Sequence, residues 1–194
     1  IAAPKHVIEA MVNEEGRIDF NLMAPFPGPR GSEWSGIFVD AEIAAQAVLG
    51  LSLSSNTLVA SLEADARRDV NIEKMSEGSF RQFVGMLENS RSCGHLHGMD
   101  WARQKWGTKW NACEPQHDAE AGTAQFETAW ACPEGVLVEL SKRFPDDEIN
   151  VTFADEDIGS NCGTFTLKAG SAIARDIAPA WRVINNVEIN LWLN

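Results

Sequence analysis

An α+β fold is what this sequence predicts: an antiparallel sheet with helices packed on one face, elaborated by a largely helical insertion towards the N-terminus. Three observations carry that expectation. Between Trp106 and Gly170 the hydrophobic period alternates, turns helical and alternates again, in the order strand, strand, helix, strand, strand. Upstream, short helical periods are separated by Pro- and Gly-rich connectors. The 194 residues are 44% hydrophobic and 23% charged, enough apolar side chain for a packed core and too little charge for global disorder. A single elaborated domain over 1–194 is expected, with its core at 101–170 and a mainly helical and loop insertion at 24–100.

Along the chain, Pro4 to Val12 reads as a short helix because proline suits the first turn and Val7, Ile8, Met11 and Val12 share a face. Arg17 to Met23 alternates Ile18, Phe20 and Leu22 with polar residues, as a half-buried strand does. The run from Ala24 to Ser32, rich in proline and glycine, is a connector. Asp40 can cap a helix through Ile43, Ala44, Ala47 and Val48 up to Gly50, and Ser79 can cap another with Phe80, Phe83, Val84 and Leu87 on one stripe. Ser61 to Ser79 is polar and suits either a helix or a loop.

The second half is more regular. Thr108 to Cys113 and Thr123 to Trp130 alternate as strands, and Pro133 opens a helix with Val136, Leu137, Leu140 and Phe144 on its apolar stripe. Val151 and Phe153, then Phe165 and Leu167, mark two more strands around a turn at Asp155 to Gly159. A helix with Ile173, Ile177 and Trp181, broken at Pro179, and a last strand over Val187 to Leu193 are expected to follow.

Three motifs bring in a resemblance. Trp106-Gly107-Thr108-Lys109-Trp110-Asn111, Phe126-Glu127-Thr128-Ala129-Trp130-Ala131-Cys132-Pro133 and Leu140-Ser141-Lys142-Arg143-Phe144-Pro145, in this order, resemble the YubB-like proteins of plasmids and phages, with a fainter echo at Ile18 to Asn21 and Pro25. The resemblance covers about Trp101 to Gly170. It implies a ferredoxin-like domain and a bacterial mobile-element setting, and it brings no established biochemical activity. Relatives begin with a strand ahead of the helix at Pro4, and in this chain that strand is expected to be missing or truncated.

Charge narrows the classes of function. The formal net charge is −12. Twelve acidic residues lie between Glu114 and Asp157 against Lys142 and Arg143, a local net of −10, whereas Arg91 to Trp110 carries Arg91, Arg103, Lys105 and Lys109 against Asp100, a net of +3. Broad nucleic-acid affinity, which rests on neutralising phosphates, fits such a chain poorly. No apolar run approaches the roughly 20 residues of a membrane helix, so a cytoplasmic protein of a bacterial host cell, without membrane association, is expected.

No catalytic residue is assigned, because phosphate-binding loops, HExxH and GxSxG are absent. The carboxylate runs Asp146 to Glu148 and Asp155 to Asp157 read as solvated turn acids. Binding is assigned to Trp101, Arg103, Lys105, Trp106 and Lys109, where cations alternate with indoles that could stack a single-stranded nucleic acid. Cys93, His95, His97, Cys113 and His117 are a weaker set of zinc-ligand candidates, because their spacing matches no standard site; no cofactor is expected. The first functional expectation is a non-catalytic accessory protein that binds a host or element-encoded protein through its acidic surface. Its rivals are single-stranded nucleic-acid binding through Trp101 to Trp110 and a metal-dependent enzyme of unknown reaction.

Strand alternation makes one sharp statement. Trp110 should point away from Lys109, packing in the core while Lys109 emerges near Glu127. On that basis Trp110→Ala should cost about 3–5 kcal/mol and Lys109→Ala almost nothing.

Overall fold

The structure is a computed structural model and describes residues 1–30, 34–155 and 161–178. It divides into two compact units: Ile1–Pro25 with the chain from Ala102 onward, and Phe26–Trp101.

In the first unit the strands are β1 (Cys113–Asp118), β2 (Thr123–Glu127), β3 (Ile149–Phe153), β4 (Cys162–Lys168) and β5 (Ser171–Ala178). The pairs β1–β2, β3–β4 and β4–β5 are all antiparallel. What joins the two sets is the start of the chain. Ala2 bridges Thr123 on one side and Asn150 on the other, exchanging backbone hydrogen bonds of 2.8 and 2.9 Å with Asn150, while Ala3 N donates to Gly122 O at 2.9 Å. The order is therefore β1, β2, residues 1–3, β3, β4, β5.

Helix α1 (Lys5–Glu9) follows the N-terminal segment, and α6 (Glu134–Arg143) joins β2 to β3. Together these parts make the strand–helix–strand–strand–helix–strand plan of a ferredoxin-like unit. Here the structure departs from the four strands expected within 106–170. The ferredoxin-like set takes residues 1–3 as a central strand, and β4 and β5 are additions beyond its edge.

The core of this unit is apolar on the helix side. Val7, Ile8 and Met11 from the α1 region, Val136, Leu137 and Leu140 from α6, Ile149 and Val151 from β3, and Phe165 and Leu167 from β4 are all buried. Alternate residues Asn150 and Thr152 on β3 and Gln125 on β2 are exposed on the opposite face, as the period of two requires. Helix α6 spans nearly the stretch read from the sequence, with Pro133 at its N-cap.

Three sequence expectations fail here, each for a local reason. Arg17 to Met23 is not a strand: the Asp19 carboxylate accepts from Asn21 N and starts a 3₁₀ turn over Phe20–Leu22, a side-chain bond that competes with strand pairing. Thr108 to Trp110 is a run of bends, and the strand starts at Cys113. The Asn111 side chain causes this, accepting from Phe20 N at 2.8 Å and donating to Asp19 at 2.7 Å, so it ties the segment to the 3₁₀ turn. Finally, Ile173 and Ile177 lie in β5 and not in a helix. Ala169 and Gly170, both with positive φ (49° and 78°), make a two-residue hairpin between Lys168 and Ser171 that sends the chain back along β4. Trp181, Pro179 and Val187 to Leu193 lie outside the described residues, as does most of the expected turn at Asp155 to Gly159.

The second unit holds α2 (Val39–Val48), α3 (Thr57–Asp69) and α4 (Glu77–Cys93), and α5 (Gly98–Lys105) begins in it. Its core is Ala41, Ala44, Ala45, Phe83, Met86 and Leu96. The faces differ from those read in the sequence. Ser76, not Ser79, caps α4, and the buried side runs through Ser79, Gln82, Phe83 and Met86, leaving Phe80 and Val84 exposed. Likewise Phe38 occupies the N-cap of α2, Asp40 lies in its first turn, and Val48 is exposed. Alanines at 41, 44 and 45 let α2 approach α4 closely, and that close approach outweighs the larger side chains.

Candidate functional site

The tryptophans around the expected binding segment fall into two kinds, and they are not the two kinds expected. Trp106, 6% exposed, is core: its Nε1 donates to Ala24 O at 2.7 Å and its ring meets Phe20 edge to face at 5.6 Å. Trp101, in the second unit, is 7% exposed and packs against Phe26. Neither indole is available for stacking a base, so the platform assigned to Trp101 and Trp106 is withdrawn. Arg103 and Lys105 are exposed on α5, while both rings are covered.

The exposed indoles among the described residues are Trp110, at 52%, and Trp130, at 77%. Between them sits Lys109, whose Nζ lies 4.1 Å from the centroid of Trp110 and 3.7 Å from that of Trp130. Lys109 and Trp110 therefore serve the same surface, against the opposite-face expectation, because residues 107–110 are bends and carry no strand alternation. Among the described residues no ion pair joins Lys109 to Glu127; the ammonium is held by ring faces instead.

Two hydroxyls shape the loop that presents Trp130. Thr128 Oγ1 donates to Ala131 O at 2.7 Å, and Thr108 Oγ1, on the Lys109 side, donates to Ala129 O at 3.1 Å. Between these anchors Trp130 adopts φ 64°, the left-handed region that bulky side chains avoid. Gly107, at φ 86°, approaches the same loop closely: a Cβ there would stand 3.2 Å from Cys132 O.

The two indoles rim a cleft of about 1230 Å³. Asp118, Glu127 and Asp155 line it, with His117, and no Lys or Arg lines it among the described residues. Part of the acidic segment is already neutralised locally: Glu120 pairs with Lys5, Glu134 with Arg175, Glu139 with Lys142 and Glu148 with Lys168, while Asp147 Oδ2 lies 2.8 Å from His6 Nε2. Asp118 and Glu127 have no ion-pair partner among the described residues, so the negative potential left over is directed into the cleft.

Cys132 also lines the cleft. Its thiol is pushed up to about 11, chiefly by burial and then by the Glu134 carboxylate, with Arg175 opposing. A thiol so raised is protonated at neutral pH and a poor nucleophile.

The zinc-ligand candidates are divided between the two units. Cys113 and His117 are exposed on β1, whereas Cys93, His95 and His97 belong to the second unit. Among the described residues no three His, Cys, Asp or Glu side chains come together as a metal would need. His97 serves the local backbone instead, its Nδ1 accepting from Asp100 N at 3.1 Å in the first turn of α5. His95 Nδ1 stands 3.4 Å from the Asp100 carboxylate.

What these parts define is an α+β protein with a ferredoxin-like domain and an aromatic, acidic cleft on it. Residues 105–184 match the family model described as "Ferredoxin-like domain in Api92-like protein", under half of the chain and the part in which α6 and β1 to β5 lie. No curated protein and no solved structure matches the chain. No helix among the described residues is long and apolar enough to cross a membrane.

The sequence pointed to Lys109 and missed Trp130. An indole in an alternating run reads as core, and only a left-handed backbone turns it outward. The hydroxyls flanking it, Thr108 and Thr128, were the legible trace of that turn.

Proposed function

We propose that this is a non-catalytic binding protein, an accessory factor of a plasmid or phage of the YubB-like kind working in the bacterial cytoplasm, and that its acidic cleft docks a basic segment of a host or element-encoded protein. The observation that carries the reading is the pair of exposed indoles at the rim of a cleft whose acidic side chains, Asp118, Glu127 and Asp155, face no Lys or Arg in the lining among the described residues. Exposed tryptophans are uncommon on surfaces without a partner, and Trp is among the residues that dominate binding energy at interfaces. Carboxylates beside them favour a positively charged partner and speed its approach.

The test is fluorescence anisotropy of a labelled Lys/Arg-rich peptide, with an acidic peptide and single-stranded oligo(dT) in parallel. Binding of the basic peptide alone, weakened by salt and lost in Trp110→Ala and Trp130→Ala, is the expected result. If oligo(dT) binds instead and the same variants lose it, the nucleic-acid reading through Lys109 and Trp110 replaces this one.

A further inference from the structure

The slot between Trp110 and Trp130 already holds a cation, and that cation belongs to the chain. One ammonium touches both ring faces, at 4.1 and 3.7 Å from their centroids, so the attraction of the indoles for positive charge is satisfied before any partner arrives. Two further features separate this arrangement from incidental surface packing. The backbone at Trp130 is held at φ 64° by the Thr128 and Thr108 hydroxyls, and strain of this sort persists only where the surroundings over-determine it, typically at ligand clamps. In addition, the cleft that the indoles rim offers Asp118 and Glu127 to a cation and has no Lys or Arg in its lining among the described residues.

We propose that the Trp110–Trp130 slot is a recognition site for an arginine side chain of the basic partner, occupied in cis by Lys109 until the partner's guanidinium displaces it. The proposal rests on the docking role suggested above and adds the side chain that is read and a built-in competitor. Arginine fits better than lysine because its planar, weakly hydrated guanidinium stacks on aromatic faces, and Glu127, which pairs with Cys113 three residues after Trp110, adds a carboxylate to the same cleft. Lys109 then acts as a threshold: self-occupancy reduces apparent affinity by the fraction of molecules whose slot is open.

The experiment uses the full chain and a labelled arginine-rich peptide, with a citrulline-for-arginine peptide as the uncharged counterpart of the same shape. Lys109→Met removes the ammonium that competes for the ring faces and leaves an uncharged, unbranched side chain one atom shorter. Lys142→Met removes the same charge from α6, where Lys142 pairs with Glu139. Lys109→Met should tighten the arginine peptide about three- to fivefold relative to Lys142→Met, the range expected for relief of an exposed cation–π contact. Both forms should bind the citrulline peptide at least tenfold more weakly. Equal affinity of Lys109→Met and Lys142→Met, with binding still lost in Trp110→Ala and Trp130→Ala, overturns self-occupancy and leaves the docking face standing. Peptide binding indifferent to both tryptophan substitutions overturns the docking role as well, and equal binding of the citrulline peptide overturns arginine as the group read.

Discussion

A single backbone angle decides how Trp130 is used. With φ at 64° the residue sits where an L side chain crowds its own carbonyl, at a cost of about 1–2 kcal/mol that glycine avoids. Trp130→Gly should therefore be more stable than Trp130→Ala by about 1 kcal/mol in urea unfolding, although both lose the ring. Equal stability of the two would show that the left-handed turn at 130 is not adopted. Neighbouring tryptophans should divide sharply on the same measurement. Trp106→Ala, which removes a buried ring and its 2.7 Å bond to Ala24 O, is expected to cost about 3–5 kcal/mol, whereas Trp110→Ala should cost less than about 1 kcal/mol because its ring is half exposed and loses only a surface cation–π contact. Sequence alone reverses this pair, since burial of an indole is a tertiary outcome: Trp106 is covered by Phe20 and Ala24, more than 80 residues earlier in the chain.

At the scale of elements, what was legible and what was not follows from where the backbone finds its hydrogen bonds. Helix α6 and strands β2, β3 and β4 satisfy themselves by regular ladders, so period and the flanking prolines 133 and 145 suffice to find them. The segment 108–112 and the 3₁₀ turn at Phe20 exchange bonds through Asn111 and Asp19 side chains, a pairing across 91 residues that no local pattern records. Asn89 on α4 is a third example. Fully buried, it accepts from Arg30 N and donates to Arg30 O and Leu96 O, at 2.8–2.9 Å, clamping two loops of the second unit. Asn89→Ala should cost about 2–3 kcal/mol, because one buried and two partly buried backbone groups lose their partner; differential scanning calorimetry checks it, and a loss under about 0.5 kcal/mol would mean that water replaces the amide. Gly122 tests the strand at the chain start: a Cβ there would stand 2.5 Å from Ala3 O, and φ is +70°. Gly122→Ala is expected to cost at least about 2 kcal/mol and to speed hydrogen exchange at Ala3 and Ala124, whose N–H groups pair across that junction.

For the whole molecule, the pH dependence of stability rests on groups whose titration folding changes. Asp19 shows the sign. Partial burial raises its carboxyl pKa, but hydrogen bonds from Asn111, from the Asn21 backbone and side chain and from Asn13 outweigh that and hold it below the ordinary carboxylate value. A depressed folded-state pKa means stability that is fully present above the unfolded value, near 3.9, and lost as pH falls from there through the folded value. Acid titration of the unfolding free energy should therefore drop below about pH 4, with a shallower fall in Asp19→Asn. A slope identical in the two proteins would remove Asp19 from the acid response.

The position of Ala2 in the middle of the sheet also sets a schedule for synthesis. Its partners, Thr123 and Asn150, are made long after it, so residues 1–3 wait unpaired while the whole of Phe26–Trp101 is produced. At about 5–20 residues per second the delay before β3 can close on them is roughly 7–30 s. During that interval the apolar face of α1, with Val7, Ile8 and Met11, has neither α6 nor β3 to cover it. A nascent chain of this protein should bind holdase chaperones through the segment around α1 and release them only when the region around residue 150 emerges.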